Sequence, residues 1–206
     1  MGSRLMHIII AHEIACRIKV VDISSFILGA VAPDAVAPKD LSHFYKGNPN
    51  DYTRSIDYEA FLHKYSNFKD HPYILGYYTH LIADDIWLKG FFLPWLKNRL
   101  ENDSTILERY HHDFKLLNSK LMFQYQTEPD LLKGILDAAK PLELEEVSLN
   151  QVSSFIPYAE QDMMLPQTDE PLQVFTMEMI IGYIETSIDL GVQSIKTAID
   201  WKVLLK

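Results

Sequence analysis

The run Pro72-Tyr73-Ile74-Leu75-Gly76-Tyr77-Tyr78-Thr79-His80-Leu81-Ile82-Ala83-Asp84-Asp85-Ile86-Trp87 decides how the rest of the chain is read. Proline at the first position of a helix gives up only an N–H that no helical carbonyl would accept, so Pro72 suits a helix start. The residues after it are mostly apolar and aromatic and lack the alternation of a half-buried strand, which predicts a helix to about Trp87. His80 and Asp84 fall inside this apolar setting. Four residues apart on a helix, they share a face with Cβ atoms roughly 6 Å apart. An isolated pair of this kind is ordinarily an imidazole–carboxylate hydrogen bond. Buried among aromatic residues, however, the pair needs partners, and a single ion would satisfy both.

Working outward, Leu5, Ile8, Ile9, Ala15 and Ile18 recur at helical spacing from Ser3 to about Lys19. Asp22 reads as the N-cap of a short buried helix that Pro33 stops. Pro33 to Arg54, with Pro38, Gly47, Asn48, Pro49 and Asn50, disfavours regular structure. Long loops of this kind are commonly functional, and this one carries Asp34 and His43. Helical periodicity resumes from Asp57 to Tyr65, and Pro94 is expected to interrupt the chain after Trp87. Asp103 or Ser104 is expected to cap a helix bearing Leu107, Tyr110, Phe114, Leu117 and Leu121. Pro129 and Pro141 punctuate the next segments. A loop at Pro166 to Pro171 precedes a terminal helix at about Leu172 to Trp201, in which Gly182 and Gly191 allow close packing. With little alternation and no hairpin turn pairs, the expected fold is all-α: one domain over residues 1–206, a compact multi-helix bundle with a long metal-binding loop.

The composition agrees with one core. The chain has 206 residues, 48% hydrophobic and 23% charged, and a formal charge of -9. That charge argues against a broad basic surface for nucleic acid or anionic lipid, although a bound metal would reverse the field locally. Cys16 is the only cysteine, so no internal disulfide forms, and its apolar helical surroundings predict burial. The start of the chain lacks the pattern of a secretion signal, and no run approaches the roughly 18 apolar residues of a membrane span. A cytoplasmic location is the expectation.

Taken singly, Asp34 reads as a turn residue and His43 as a loop histidine. Taken with His80 and Asp84 they make a set of two imidazoles and two carboxylates, which suits zinc, with manganese or iron as other options. A coordination position left open can hold a water of lowered pKa.

These residues resemble the zinc-dependent phospholipase C family, to which the single-strand-specific nucleases are related. The similarity rests on an early helical His, a Pro-Asp after a short helix, Ser42-His43-Phe44 in the loop, and Gly76-Tyr77-x-x-His80-x-x-x-Asp84, and it spans about Arg4 to Phe114. It implies an all-α scaffold and one zinc held by Asp34, His43, His80 and Asp84. It further implies a second ion joined by His7 and sharing Asp84. His12 is the rival for the role of His7, but it lies five residues on and points to another helix face. The pattern departs from the family at Gly90, where a His would stand, and in lacking a later His-x-x-x-Glu, so a third ion is not implied. The family enzymes are secreted and use a processed amino terminus as a ligand, whereas this chain shows no signal.

The resulting expectation is a metal-dependent phosphoric ester hydrolase acting on a small phosphate-containing substrate, a phosphodiester first, with Asp34 assisting proton transfer. Asp85 is a candidate supporting group behind the ligands. Two alternatives stand beside it. One is a non-catalytic helical protein with a structural metal or a small-ligand pocket. The other is an HD-type phosphohydrolase built on His112-Asp113, although Glu108, His111, His112 and Asp113 also read as a solvated helix face. Arg4 and Lys39 read as surface charges or as phosphate contacts. No Gly-rich phosphate loop, serine-hydrolase elbow or Cys-based zinc motif occurs.

Overall fold

A computed structural model describes residues 3–199. The expected helices form, each where its local chemistry allows. Ser3 caps α1 (Arg4–Ile18), its hydroxyl accepting from the Met6 N–H at 3.3 Å. Asp22 caps α2 (Ile23–Val31) in the same way, through the Ser25 N–H at 2.9 Å. Asp57 caps α3 (Tyr58–Lys64), and Pro72 opens α4 (Pro72–Trp87) as expected. Beyond these lie α5 (Lys97–Asn102), α6 (Ile106–Gln124), α7 (Pro129–Ala138), α8 (Leu149–Met163) and α9 (Met177–Ala198). Ser148 and Gln151 form a capping box at the start of α8. Trp201, the expected end of the last helix, and Met1 lie outside the described residues.

Several expectations are corrected. Pro94 does not interrupt the chain after Trp87, because residues Leu88–Leu96 continue as a π-helix with Pro94 inside. The segment from Pro33 to Arg54 is not structureless. It holds 3-10 turns at Ala32–Ala35 and Pro49–Asp51 and the first strand of a small antiparallel pair, β1 (Tyr45–Lys46) with β2 (Ser55–Ile56). Neither Asp103 nor Ser104 is the N-cap of α6; Thr105 is, and Asp103 instead accepts the Thr105 N–H at 2.9 Å. Cys16 is exposed rather than buried, because it lies on the solvent side of α1, 3.8 Å from His12 Nε2.

The core sits where α1, α2, α4 and α9 meet, with α2 and α4 as the most extensively paired helices. Their closeness comes from glycine. A Cβ at Gly76 would stand 2.8 Å from the Phe26 carbonyl carbon, and one at Gly29 would stand 2.8 Å from that of Tyr73. Backbone therefore packs on backbone at this crossing. Gly191 of α9 also packs closely, against Ile14 and Thr79, whereas Gly182 has nothing within 4 Å. No described helix is long and apolar enough to cross a membrane.

Candidate metal centre

Four elements converge on one polar spot in this core. α1 brings His7, the 3-10 turn after α2 brings Asp34, the following loop brings His43, and α4 brings His80 and Asp84. His7, His80, His43 and Asp84 are each 1% exposed or less, and the Asp34 side chain is 7% exposed. His43 Nε2 lies 3.3 Å from Asp84 Oδ2 and 3.5 Å from Asp34 Oδ1. His7 Nε2 lies 3.3 Å from Asp84 Oδ1, and His80 Nε2 lies 3.7 Å from Asp84 Oδ2. The rings of His7 and His80 stack with centroids 3.8 Å apart. All five residues expected from the sequence are thus together, and His12 is not among them.

Backbone partners fix which nitrogens face inward. The Ala30 carbonyl, which can only accept, lies 2.7 Å from His80 Nδ1, so that nitrogen carries the proton and Nε2 keeps its lone pair. The Ser42 hydroxyl donates to the Pro33 carbonyl at 2.9 Å and accepts from His43 Nδ1 at 2.9 Å. His43 Nε2 therefore also turns a lone pair inward, 3.3 Å from that of His80. Tyr77 steadies this loop by donating to the Ser42 carbonyl at 2.6 Å. These supports are what metal-binding histidines characteristically have. Sequence reading missed Ser42, Tyr77 and the Ala30 carbonyl as parts of the site. Ser42, adjacent to His43, and Tyr77, three residues before His80 in the Gly-Tyr motif, offered a local signal.

Two carboxylates and two facing lone pairs in a buried space require positive charge. Burial opposes ionisation of Asp84, but His43, His7 and His80 around it hold its carboxyl well below the usual range. Burial likewise opposes ionisation of Asp34, and His43, His80 and Lys39 hold that carboxyl far down. Burial lowers His43, yet its contacts with Asp34 and Asp84 prevail and raise it, whereas burial and the neighbouring His7 push His80 down to about 4. A proton on His43 answers only part of this demand. Both oxygens of Asp84 and both ring nitrogens of His7 have no hydrogen-bond partner among the described residues, since their short contacts are close but not aligned as hydrogen bonds.

A divalent ion fits the donor set. The ligand atoms of His43, His80 and Asp84 lie within 4.8 Å of one another, as do those of His7, Asp34 and His80. Tetrahedral zinc with bonds near 2 Å separates neighbouring ligand atoms by roughly 3.3 Å, close to the contacts of 3.3 to 3.7 Å found here.

The remaining candidates lie elsewhere. Asp85 is buried, but it accepts from the Ile56 N–H at 3.4 Å and from Lys89 at 2.6 Å, so it anchors β2 and does not back the cluster. Asp113 is not on a solvated face. Its buried carboxylate accepts from the N–H groups of Gln173, Val174 and Phe175 at 2.8, 2.7 and 3.0 Å, while His112 pairs with Glu170 at the surface. Arg4 pairs with Asp162 at 2.6 Å and Lys39 with Asp34. A cavity of about 710 Å³ beside Ser104, Glu108, His111 and His112 is lined by none of the five cluster residues. Asp34, by contrast, opens onto a cavity of about 390 Å³ lined also by Arg4, Lys39, Lys115 and Asn118. No protein-family model, curated protein or solved structure matches the chain.

Proposed function

We propose that the protein is a metal-dependent hydrolase of phosphate esters, with a phosphodiester as the first expectation. The observation that carries the metal is the set of buried, unpartnered atoms of Asp84 and His7 set among the inward lone pairs of His43 and His80. The substrate class rests on the resemblance to zinc-dependent phospholipases C, and one feature of the site supports it. The Asp34 edge of the cluster opens onto a cavity whose walls carry Arg4, paired with Asp162, Lys39, paired with Asp34, and Lys115, which adds a cation for an anionic substrate in an otherwise acidic protein. When bound, zinc supplies Lewis acidity toward a phosphoryl oxygen and makes water acidic enough to attack near neutral pH. Asp34 would be the carboxylate assigned to proton transfer; held far below its usual range by His43, His80 and Lys39, it would act as a weak base, with the bound ion supplying the acidity of the water. His80 and His43 are kept in one tautomer by Ala30 and Ser42 and need no reorganisation.

A structural ion is the second reading, and the near-complete burial of four of the five ligands is what favours it. The HD-type reading gains no such support, because Asp113 is committed to the 173–175 backbone.

Elemental analysis of protein purified under metal-replete conditions is the first test. Wild type should carry at least one ion per chain, and the combined His80→Ala, Asp84→Ala variant should carry none. Chelation should lower the melting temperature, since free ion at 100 times its dissociation constant adds about 2.7 kcal/mol to stability. Metal-free wild type would refute the site. Metal-loaded protein should then turn over some member of a panel of chromogenic phosphomonoesters, phosphodiesters and phosphocholine esters. Loaded protein inert toward all of them would establish the structural reading instead.

A further inference from the structure

Outside the cluster, the fully buried side-chain polar atoms without a partner among the described residues are Tyr73 Oη, Trp87 Nε1 and Tyr183 Oη. Two of these belong beside the metal centre. Trp87 is 0% exposed and lies three residues beyond Asp84, on the same stripe of α4. Tyr183, from α9, is 2% exposed and meets the Trp87 ring edge-on at a centroid distance of 5.1 Å. The charges of Asp84 and Asp34 both act on the Tyr183 phenol. The Ser187 hydroxyl donates to the Tyr183 carbonyl at 2.7 Å and also acts on the phenol, without a bond of hydrogen-bond geometry to its oxygen.

Trp87, though not Tyr183, lines a cavity of about 600 Å³ together with Tyr45, Tyr110, Phe114, Lys39, and Arg54 paired with Asp40. Tyr45 stacks on His43 with centroids 5.5 Å apart, so the cavity begins at the edge of the cluster. It meets the smaller cavity beside Asp34 at Lys39 and Phe114, which line both. Phe91, Phe114, Phe175 and Tyr183 pack on the Trp87 ring, and phenylalanine at 183 would fill its space without stranding a donor. Buried donors without acceptors cost free energy, so two of them side by side next to a cation site point to an acceptor that arrives with a ligand.

We propose that Trp87 Nε1–H and Tyr183 O–H form an oxyanion subsite, donating hydrogen bonds to a non-bridging oxygen of a phosphate group held at the Asp84 side of the cluster. This inference rests on the metal-dependent reading above and names residues that spacing and resemblance did not. It makes Trp87 and Tyr183 substrate-contacting groups, with Lys39 and Arg54 at the approach.

The probe is inorganic phosphate, titrated by calorimetry into full-length, metal-loaded protein. Metal content and melting temperature are measured on every sample first. Trp87→Phe and Tyr183→Phe should each weaken phosphate binding by about 10- to 100-fold with the ion retained, the loss expected for a hydrogen bond to a charged group. Tyr73→Phe is the control. It removes an equally buried, equally unpartnered hydroxyl eleven residues, roughly 16 Å, along the helix from Asp84 and should leave phosphate affinity unchanged. Three results would overturn the subsite: loaded wild type that binds no phosphate, loaded variants that bind it as wild type does, or variants that lose the ion itself. The last would make the two rings braces for the ligands. Wild type that takes up no metal at all would instead remove the underlying metal reading, and the metal analysis identifies that case before any phosphate is added.

Discussion

Replacing Gly76 with alanine adds one methyl group at the point where α2 and α4 touch. Its Cβ would stand 2.8 Å from the Phe26 carbonyl carbon, 3.0 Å from the Ala30 nitrogen and closer still to the Phe26 oxygen, all of them backbone atoms that no rotamer change can move. Restoring an ordinary carbon–carbon separation of about 3.5 Å requires the helices to part by at least about 0.7 Å. The hydrogen bond from His80 Nδ1 to the Ala30 carbonyl spans the same crossing at 2.7 Å. A shift of that size stretches it to about 3.4 Å, at the edge of hydrogen bonding. Overpacking costs roughly 1–3 kcal/mol and the weakened hydrogen bond about 1, while alanine returns about 1 through helix propensity. The net loss is about 1–3 kcal/mol, or a melting temperature lower by roughly 3–9 °C for a chain of this size. Metal affinity should fall by roughly 10- to 100-fold as His80 loses its orienting partner. Thermal unfolding followed by circular dichroism, with metal titration alongside, reads both effects. Gly182→Ala is the matched comparison, because its Cβ meets nothing within 4 Å and the change should stabilise α9 by about 0.5–1 kcal/mol. A Gly76→Ala protein as stable as the Gly182→Ala protein would refute the reasoning.

Other perturbations test the rest of the architecture. Asp113→Ala removes the acceptor of three backbone N–H groups in the 173–175 segment and should cost about 3 kcal/mol or more, measurable by urea unfolding; a loss under 1 kcal/mol would show that the segment is held by its aromatic packing instead. Alkaline pH should unfold the protein cooperatively. Burial raises the phenols of Tyr73, Tyr77 and Tyr183 above their ordinary value of 10, so above that pH the folded chain keeps protons that the unfolded chain has released. Stability is therefore full below pH 10 and falls above it, by about 1.4 kcal/mol per pH unit for each such group. Tyrosinate absorbance and helical circular dichroism should then change together; tyrosinate formation in a still-helical protein would contradict that burial.

Local chemistry determined much of this protein directly from the sequence. Pro72, Asp22 and Asp57 act through neighbours within three residues, so the helix starts they imply were legible, and the steps of three and four residues in α1 and α6 gave the all-α fold. The pairing of His80 with Asp84 came from helix geometry alone, the long loop drew attention to Asp34 and His43, and only the resemblance to zinc-dependent phospholipases C nominated His7. Where the causes were non-local, reading failed. Asp113 lies in a run of polar residues, and only the return of residues 173–175 over it makes it a buried acceptor. Cys16 sits in an apolar stretch, yet the side of α1 that carries it faces solvent. Asp85 neighbours the candidate ligand Asp84 in sequence but turns toward β2, because adjacent helical residues point about 100° apart. The tautomers of His43 and His80 depend on carbonyls of Pro33 and Ala30, brought near by the glycine-mediated crossing of α2 on α4. Only the tertiary structure shows that Asp84, His7, Trp87 and Tyr183 keep buried polar atoms without partners among the described residues, since satisfaction of a polar group depends on everything packed around it.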